Sequence, residues 1–103
     1  MSLKEIQVVI QTHQEWLNSK GVSGLQANFK GIDLSGYDLR QQDLSGADFT
    51  EVNLQQANLE KANLQGANFQ NANLDFSNLH RANLWGAYLV GASLRHSCLK
   101  KAW

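Results

Sequence analysis

Three histidines and one cysteine are the side chains with which this sequence could do covalent or metal chemistry: His13 near the start, and His80, His96 and Cys98 near the end. A thiol beside an imidazole is the minimum for nucleophilic catalysis, and two imidazoles with a thiolate could hold zinc. The spacing favours neither, because zinc ligands come in closely spaced pairs and Cys98 has no second cysteine for a metal pair or an internal disulfide. Two charged series are more orderly. Asp33, Asp38, Asp43 and Asp48 recur every five residues, while Lys61, Arg81 and Lys101 recur every twenty. Whatever positions these groups must itself have periods of five and twenty.

The apolar residues show the same periods. A Leu or Phe falls on every fifth position from Phe29 to Leu99, fifteen times without a miss, and such a run marks a repeat architecture. Five residues advance an α-helix by about 500°, so the apolar residues would spiral around it. In a continuous strand an odd period sends successive Leu residues to opposite faces. Each repeat must therefore contain a bend. The residue two before the Leu or Phe is Ala or Ser in eleven of the fifteen repeats, and the residue between is Asn or Asp in twelve. One large and one small residue point inward, and a short polar one points outward, where its side chain bonds to nearby backbone and favours turns. Phe29, Phe49 and Phe69 lie twenty residues apart with Leu at every central position between them. Four repeats thus make one four-sided coil, the three Phe residues stack on one inner face, and the solenoid has just under four coils and a length of about 18 Å at strand-like spacing.

The A(N/D)LQx pattern, as in Ala57-Asn58-Leu59, Ala62-Asn63-Leu64-Gln65-Gly66 and Ala67-Asn68-Phe69, resembles the pentapeptide-repeat family. That resemblance implies an all-β solenoid, a right-handed quadrilateral β-helix. The opening segment with His13, Trp16, Leu17 and Gly21 resembles the N-terminal extension of cyanobacterial members. Ile32, Tyr37, Gln42 and Val52 depart from the pattern, each replacing the small inner residue. Some members of the family resemble double-stranded DNA and bind DNA gyrase, which requires columns of acid along the rod. The Asp run here places no two acids in one twenty-residue register, so it reads as an arrangement that avoids stacking carboxylates, and gyrase binding is only the alternative function.

The two ends differ. Leu3, Ile6, Val9, Ile10, His13, Trp16 and Leu17 repeat at helical intervals, Ser2 and Glu5 have the form of a capping box, and Gly21 suits a C-terminal stop, so residues 3–19 should form an amphipathic helix. A solenoid needs such a lid over its first coil, and His13 is expected inside it. The organisation expected is a capping helix and linker over 1–26, the β-helix over 27–101, and a tail of 102–103. Nothing comparable covers Leu94 and Leu99. A homodimer through the C-terminal coil would close that edge without making a filament, or Trp103 and the Lys100-Lys101 pair fold over it.

One domain is all that 103 residues allow, and nine basic against nine acidic side chains leave no net charge, hence no general attraction to nucleic acid or anionic membrane. No leader or membrane span is legible, no cofactor motif occurs, and a single cysteine fits a cytoplasmic protein. The charge is polarised. Residues 1–60 hold four basic and eight acidic groups, residues 61–103 five and one. The basic corner Lys61, Arg81 and Lys101, with His80 and Lys100 beside it, and the outward Trp85, Tyr88 and Val90, corner Phe76 and terminal Trp103 make the C-terminal half the candidate interaction surface. A filled core and convex sides leave little room for a catalytic pocket, and the register puts His80, His96 and Cys98 on different sides or levels. The expected function is a non-catalytic interaction or scaffold module for a protein partner or a second copy of the chain.

Overall fold

The computed structural model describes residues 1–103. One helix, α1 (Leu3–Asn18), lies over four coils: coil 1 (27–46), coil 2 (47–66), coil 3 (67–86) and coil 4 (87–103). Eleven parallel bridges join the coils, from Asn28 with Asp48 to Asn78 with Cys98, and every one spans twenty residues. The sides are labelled a to d by their inward residues: Phe29, Phe49, Phe69 and Leu89 on side a; Leu34, Leu54, Leu74 and Leu94 on b; Leu39, Leu59, Leu79 and Leu99 on c; Leu44, Leu64 and Leu84 on d. The three Phe rings do stack, with centroids 5.3 and 4.9 Å apart and planes within 14°.

The bend demanded by the odd period is the same at all fifteen corners. The N–H of each small residue bonds the C=O of the Leu or Phe three before it, as in Ile32 to Phe29 at 2.9 Å. The residue just before that small one has φ between +57° and +75° at every corner, the requirement of the third position of a type II turn. Each of the twelve outward Asn and Asp residues accepts, on Oδ1, the N–H two residues on. This Asx turn bends the chain into the corner, which is why that position is so uniform.

The lid is fastened by polar as well as apolar contacts. Ser2 and Glu5 exchange the two bonds of a capping box, both 3.2 Å. At the far end Gly21 N–H bonds Trp16 C=O and Lys20 N–H bonds Leu17 C=O, a Schellman closure. The left-handed residue that ends the helix is therefore Lys20, at φ +57°, one place before the Gly21 expected. Ile6 is buried against the first coil with Val9 and Ile10 beside it. His13 is 0% exposed. Its Nδ1 accepts Ala27 N–H and its Nε2 lies against Ser45 C=O, both at 2.9 Å, which fixes the neutral tautomer with the proton on Nε2. Burial pushes its pKa down from 6.5, against the opposing pull of Ser45 C=O and Asp43. Gln14 Nε2 donates to Asp43 C=O at 2.7 Å, and Gln26 to Gly46 C=O.

Ile32 and Tyr37, which break the small-residue rule, are half-buried against the core. Both lie in coil 1, the coil that α1 covers, whereas Val52 lies in coil 2 and is 1% exposed. Residues 102–103 are no tail. Ala102 takes an inward position, and Trp103 joins the ladder through its N–H to Ala82 C=O (3.0 Å) and its C=O to Leu84 N–H (3.2 Å). The Trp103 indole is 82% exposed while Leu99 is 45% exposed, so the indole does not fold over that edge.

Candidate interaction surface

The outward positions change character in the last turn of the solenoid. Columns of Asn and Asp on the four sides end in Tyr88, Ser93, Cys98 and Trp103, none of which makes the Asx turn. Asp75 compensates on one side: its buried carboxylate, in coil 3, accepts the Ser93 hydroxyl and Arg95 N–H (2.9 Å) and pairs with the Arg95 guanidinium (3.2 Å). These bonds, the Ser93 hydroxyl first, hold the Asp75 carboxyl below its usual range. Sequence reasoning missed this substitute cap. The one signal for it was an acid at a corner position that coils 1 and 2 fill with Ser35 and Gln55.

Trp103 tops side d, Trp85 the corner between d and a, Tyr88 side a, and Val90 the corner between a and b. They are 82%, 69%, 64% and 71% exposed. Together they form a girdle around half the circumference. Phe76 is not part of it. It lies on the corner between b and c, diagonally across the solenoid, where its ring stacks on His96 with centroids 5.0 Å apart. The twenty-residue register separates the two, although only nine residues divide Phe76 from Trp85.

Lys61, Arg81 and Lys101 climb the corner between c and d, next to Trp103, and Arg81, Lys101, Ala102 and Trp103 line a shallow open recess. The chain's three ion pairs are Arg40 with Asp38, His80 with Glu60 and Arg95 with Asp75, so none of the three corner cations is paired. Lower on that corner the Arg40 guanidinium holds the Asp38 carboxyl below its usual range. Asp33, Asp38, Asp43 and Asp48 fall one to a column. His80 faces Glu60 on the c–d corner, His96 lies on the b–c corner and Cys98 is exposed on side c, so the structure does not gather these groups.

Residues 27–66 and 67–102 match the pentapeptide repeats, in eight copies. The chain belongs to the pentapeptide repeat family. Its β-helix is the right-handed quadrilateral solenoid of that family. Among solved structures it is similar to the pentapeptide repeat protein Rfr23 of the cyanobacterium Cyanothece 51142, 44% identical, covering 73% of this chain and 51% of that one with a TM-score of 0.72. It is also similar to alr5209, a pentapeptide repeat protein of Nostoc PCC 7120, 29% identical, covering 92% and 74% with a TM-score of 0.76. HetL of Nostoc sp. strain PCC 7120, a pentapeptide repeat protein involved in heterocyst differentiation regulation, is 37% identical, covering 76% of this chain and 36% of that one with a TM-score of 0.71. The chain thus spans about half the length of Rfr23 and about a third of HetL. Among curated proteins nothing matches it. No helix is long and apolar enough to cross a membrane.

Proposed function

We propose that the chain is a non-catalytic protein-interaction module of the cytoplasm whose docking surface is the girdle Trp103, Trp85, Tyr88 and Val90 with the adjoining basic corner. The observation that carries this reading is the change at the outward positions. Twelve successive ones are Asn or Asp, each tied into a turn, whereas the last turn of the solenoid gives up that local bond at four and exposes two aromatic rings there, with Trp85 between them. Large exposed aromatics are the side chains that dominate protein interfaces. The involvement of HetL in regulation fits a scaffold that acts by binding. The DNA-mimic alternative gains no support from acids that fall one to a column.

A second reading has its own observation. On the edge of coil 4 the N–H groups of Leu89, Leu94 and Leu99 donate to no backbone carbonyl, and a second copy of the chain could pair with them. Molar mass in solution, measured for the wild type and for Trp85→Ala, Tyr88→Ala, separates the two. A photo-crosslinking residue at Tyr88, with the same residue at exposed Gln55 as control, then identifies the occupant. A specific cross-link at position 88 lost with Trp85→Ala supports the surface. Equal labelling from both positions, or none, refutes it.

A further inference from the structure

The corner between sides c and d carries side chains that the fold does not ask for. At the d–a corner the left-handed position is Gly46, Gly66 and Gly86, and the a–b and b–c corners mix glycine (Gly31, Gly91, Gly36) with Glu51, Asn71, Gln56, Phe76 and His96. The c–d corner alone has no glycine, with Gln41, Lys61, Arg81 and Lys101 at φ from +57° to +61°. A Cβ in that region is sterically penalised, and glycine is not. Like charges on successive rungs, about 5 Å apart as the Phe stack shows, also repel. No ion pair within the chain relieves the repulsion, because Glu60, the carboxylate nearest in sequence to Lys61, is turned onto His80 at 3.3 Å. A ridge that opposes folding in two ways and makes no internal pair points outward, to a partner.

We infer that this ridge is the docking strip for an acidic amphipathic α-helix of a partner protein, lying parallel to the solenoid axis across side d. The inference rests on the protein-interaction reading above and names the partner's chemistry. Its basis is a match of periods. From Lys61 to Lys101 is two rungs, roughly 10 Å. Carboxylates at i, i+3 or i+4, and i+7 of a helix recur every turn, ~5.4 Å, so two turns drift from the ridge by under about 1 Å. Alternate residues of an extended strand recur at ~6.8 Å and drift by more than about 3 Å over the same span. The helix's apolar flank then lies over side d, where Asn63 and Asn83 make a flat floor, Trp103 ends it and Trp85 borders it. The recess lined by Arg81, Lys101, Ala102 and Trp103 accepts one side chain. At the lidded end the ridge gives way to the uncharged Gln41 and the Arg40–Asp38 pair, and Asp43 on side d repels further acids, which limits the engaged helix to about three turns.

The test is calorimetric titration of the full chain, at ~50 and ~150 mM salt, with three probes: a hydrocarbon-stapled helical peptide carrying Glu along one stripe and Leu beside it, an unstapled peptide of the same composition with Glu at alternate positions, and oligothymidylate. The helical peptide should bind at least tenfold more tightly than the other two. Lys61→Gly, Arg81→Gly, Lys101→Gly should weaken it at least tenfold, with a melting midpoint equal to or above that of the wild type. The corresponding triple Gln variant, which puts at each rung the residue already present at Gln41, should weaken it likewise and serves if the Gly variant does not fold. Equal or tighter binding of the extended peptide or the oligonucleotide overturns the inference, as does no binding of the helical peptide. A large drop in melting midpoint in both triple variants would make the cations structural and also overturn it. If the Tyr88 cross-link survives while the helical peptide fails, the interaction reading stands and only the acidic helix is lost.

Discussion

Acidification should loosen the lid through His13. Its ring is fully buried, Nδ1 accepts Ala27 N–H at 2.9 Å, and Nε2–H donates to Ser45 C=O at 2.9 Å. A second proton can enter only at Nδ1, where it breaks the bond to Ala27 and charges a group with no adjacent carboxylate bonded to it. The folded-state pKa is accordingly depressed, and the sign follows. Above about 6.5 the imidazole is neutral whether folded or unfolded, so it adds no pH dependence. Below about 6.5 the unfolded chain takes up a proton that the folded chain refuses, and stability falls by at most ~1.4 kcal/mol per pH unit until the folded pKa is reached. The lowered carboxyls of Asp33, Asp38, Asp75 and Glu5 lose their contributions in the same direction, but only below about pH 4, so pH 5 to 6.5 isolates the histidines. Urea melts followed by far-ultraviolet circular dichroism across that range, for wild type and for His13→Phe, provide the assay. The variant leaves a buried N–H and C=O unpaired and should be destabilised by about 2–5 kcal/mol at pH 7.5, with a shallower slope below pH 6.5. Equal slopes in the two proteins, with His80→Gln and His96→Gln as controls, would refute the reasoning.

The Ser77 hydroxyl is buried on side c without a hydrogen-bond partner, at a position that nine repeats fill with Ala. Ser77→Ala should therefore stabilise the chain by about 1 kcal/mol in the same urea melts, and a loss of stability would show that the hydroxyl is satisfied in solution. Gly24 has φ +73°, and a Cβ there would press on the Thr12 C=O and on Trp16 N, the latter at 2.6 Å. Both are backbone of α1, so Gly24→Ala must shift the linker or the lid and should cost about 2–5 kcal/mol. Its signature is faster amide exchange at Ala27, with little change in the ladder of coil 3, and uniform protection would count against this reading.

The period of five, the period of twenty, the stacked Phe residues and the capping helix were legible because each is enforced at many positions at once: a misplaced Leu would leave a hole in the core, and a missing Asx would leave a corner N–H unpaired. Features set by a single contact were not legible. The use of Lys20 as the left-handed helix stop, the His13 tautomer and the Asp75 cap each depend on which residue lies across the coil, and sequence order does not reveal that until the register is known. The same distinction governs the candidate surface. The repeat register points Trp85, Tyr88 and Val90 outward and all three are exposed, but adjacency in sequence suggests Phe76 as their neighbour, whereas each side is only five residues long and nine residues carry the chain almost halfway round.

Inward positions and corners carry the information for folding, so outward positions that depart from Asn or Asp are where selection for something other than folding can act. Coils 1 and 2 hold the rule at every outward position, and coil 3 ends it at Asn83. Beyond that point the solenoid exchanges local backbone bonds for Tyr88 and Trp103 and relies on Asp75 to hold one of the turns it gave up. The basic corner departs along the axis in a parallel way, the uncharged Gln41 of coil 1 giving way to Lys61, Arg81 and Lys101 from coil 2 onward. The two departures converge on coils 3 and 4, which is where the proposed docking surface lies.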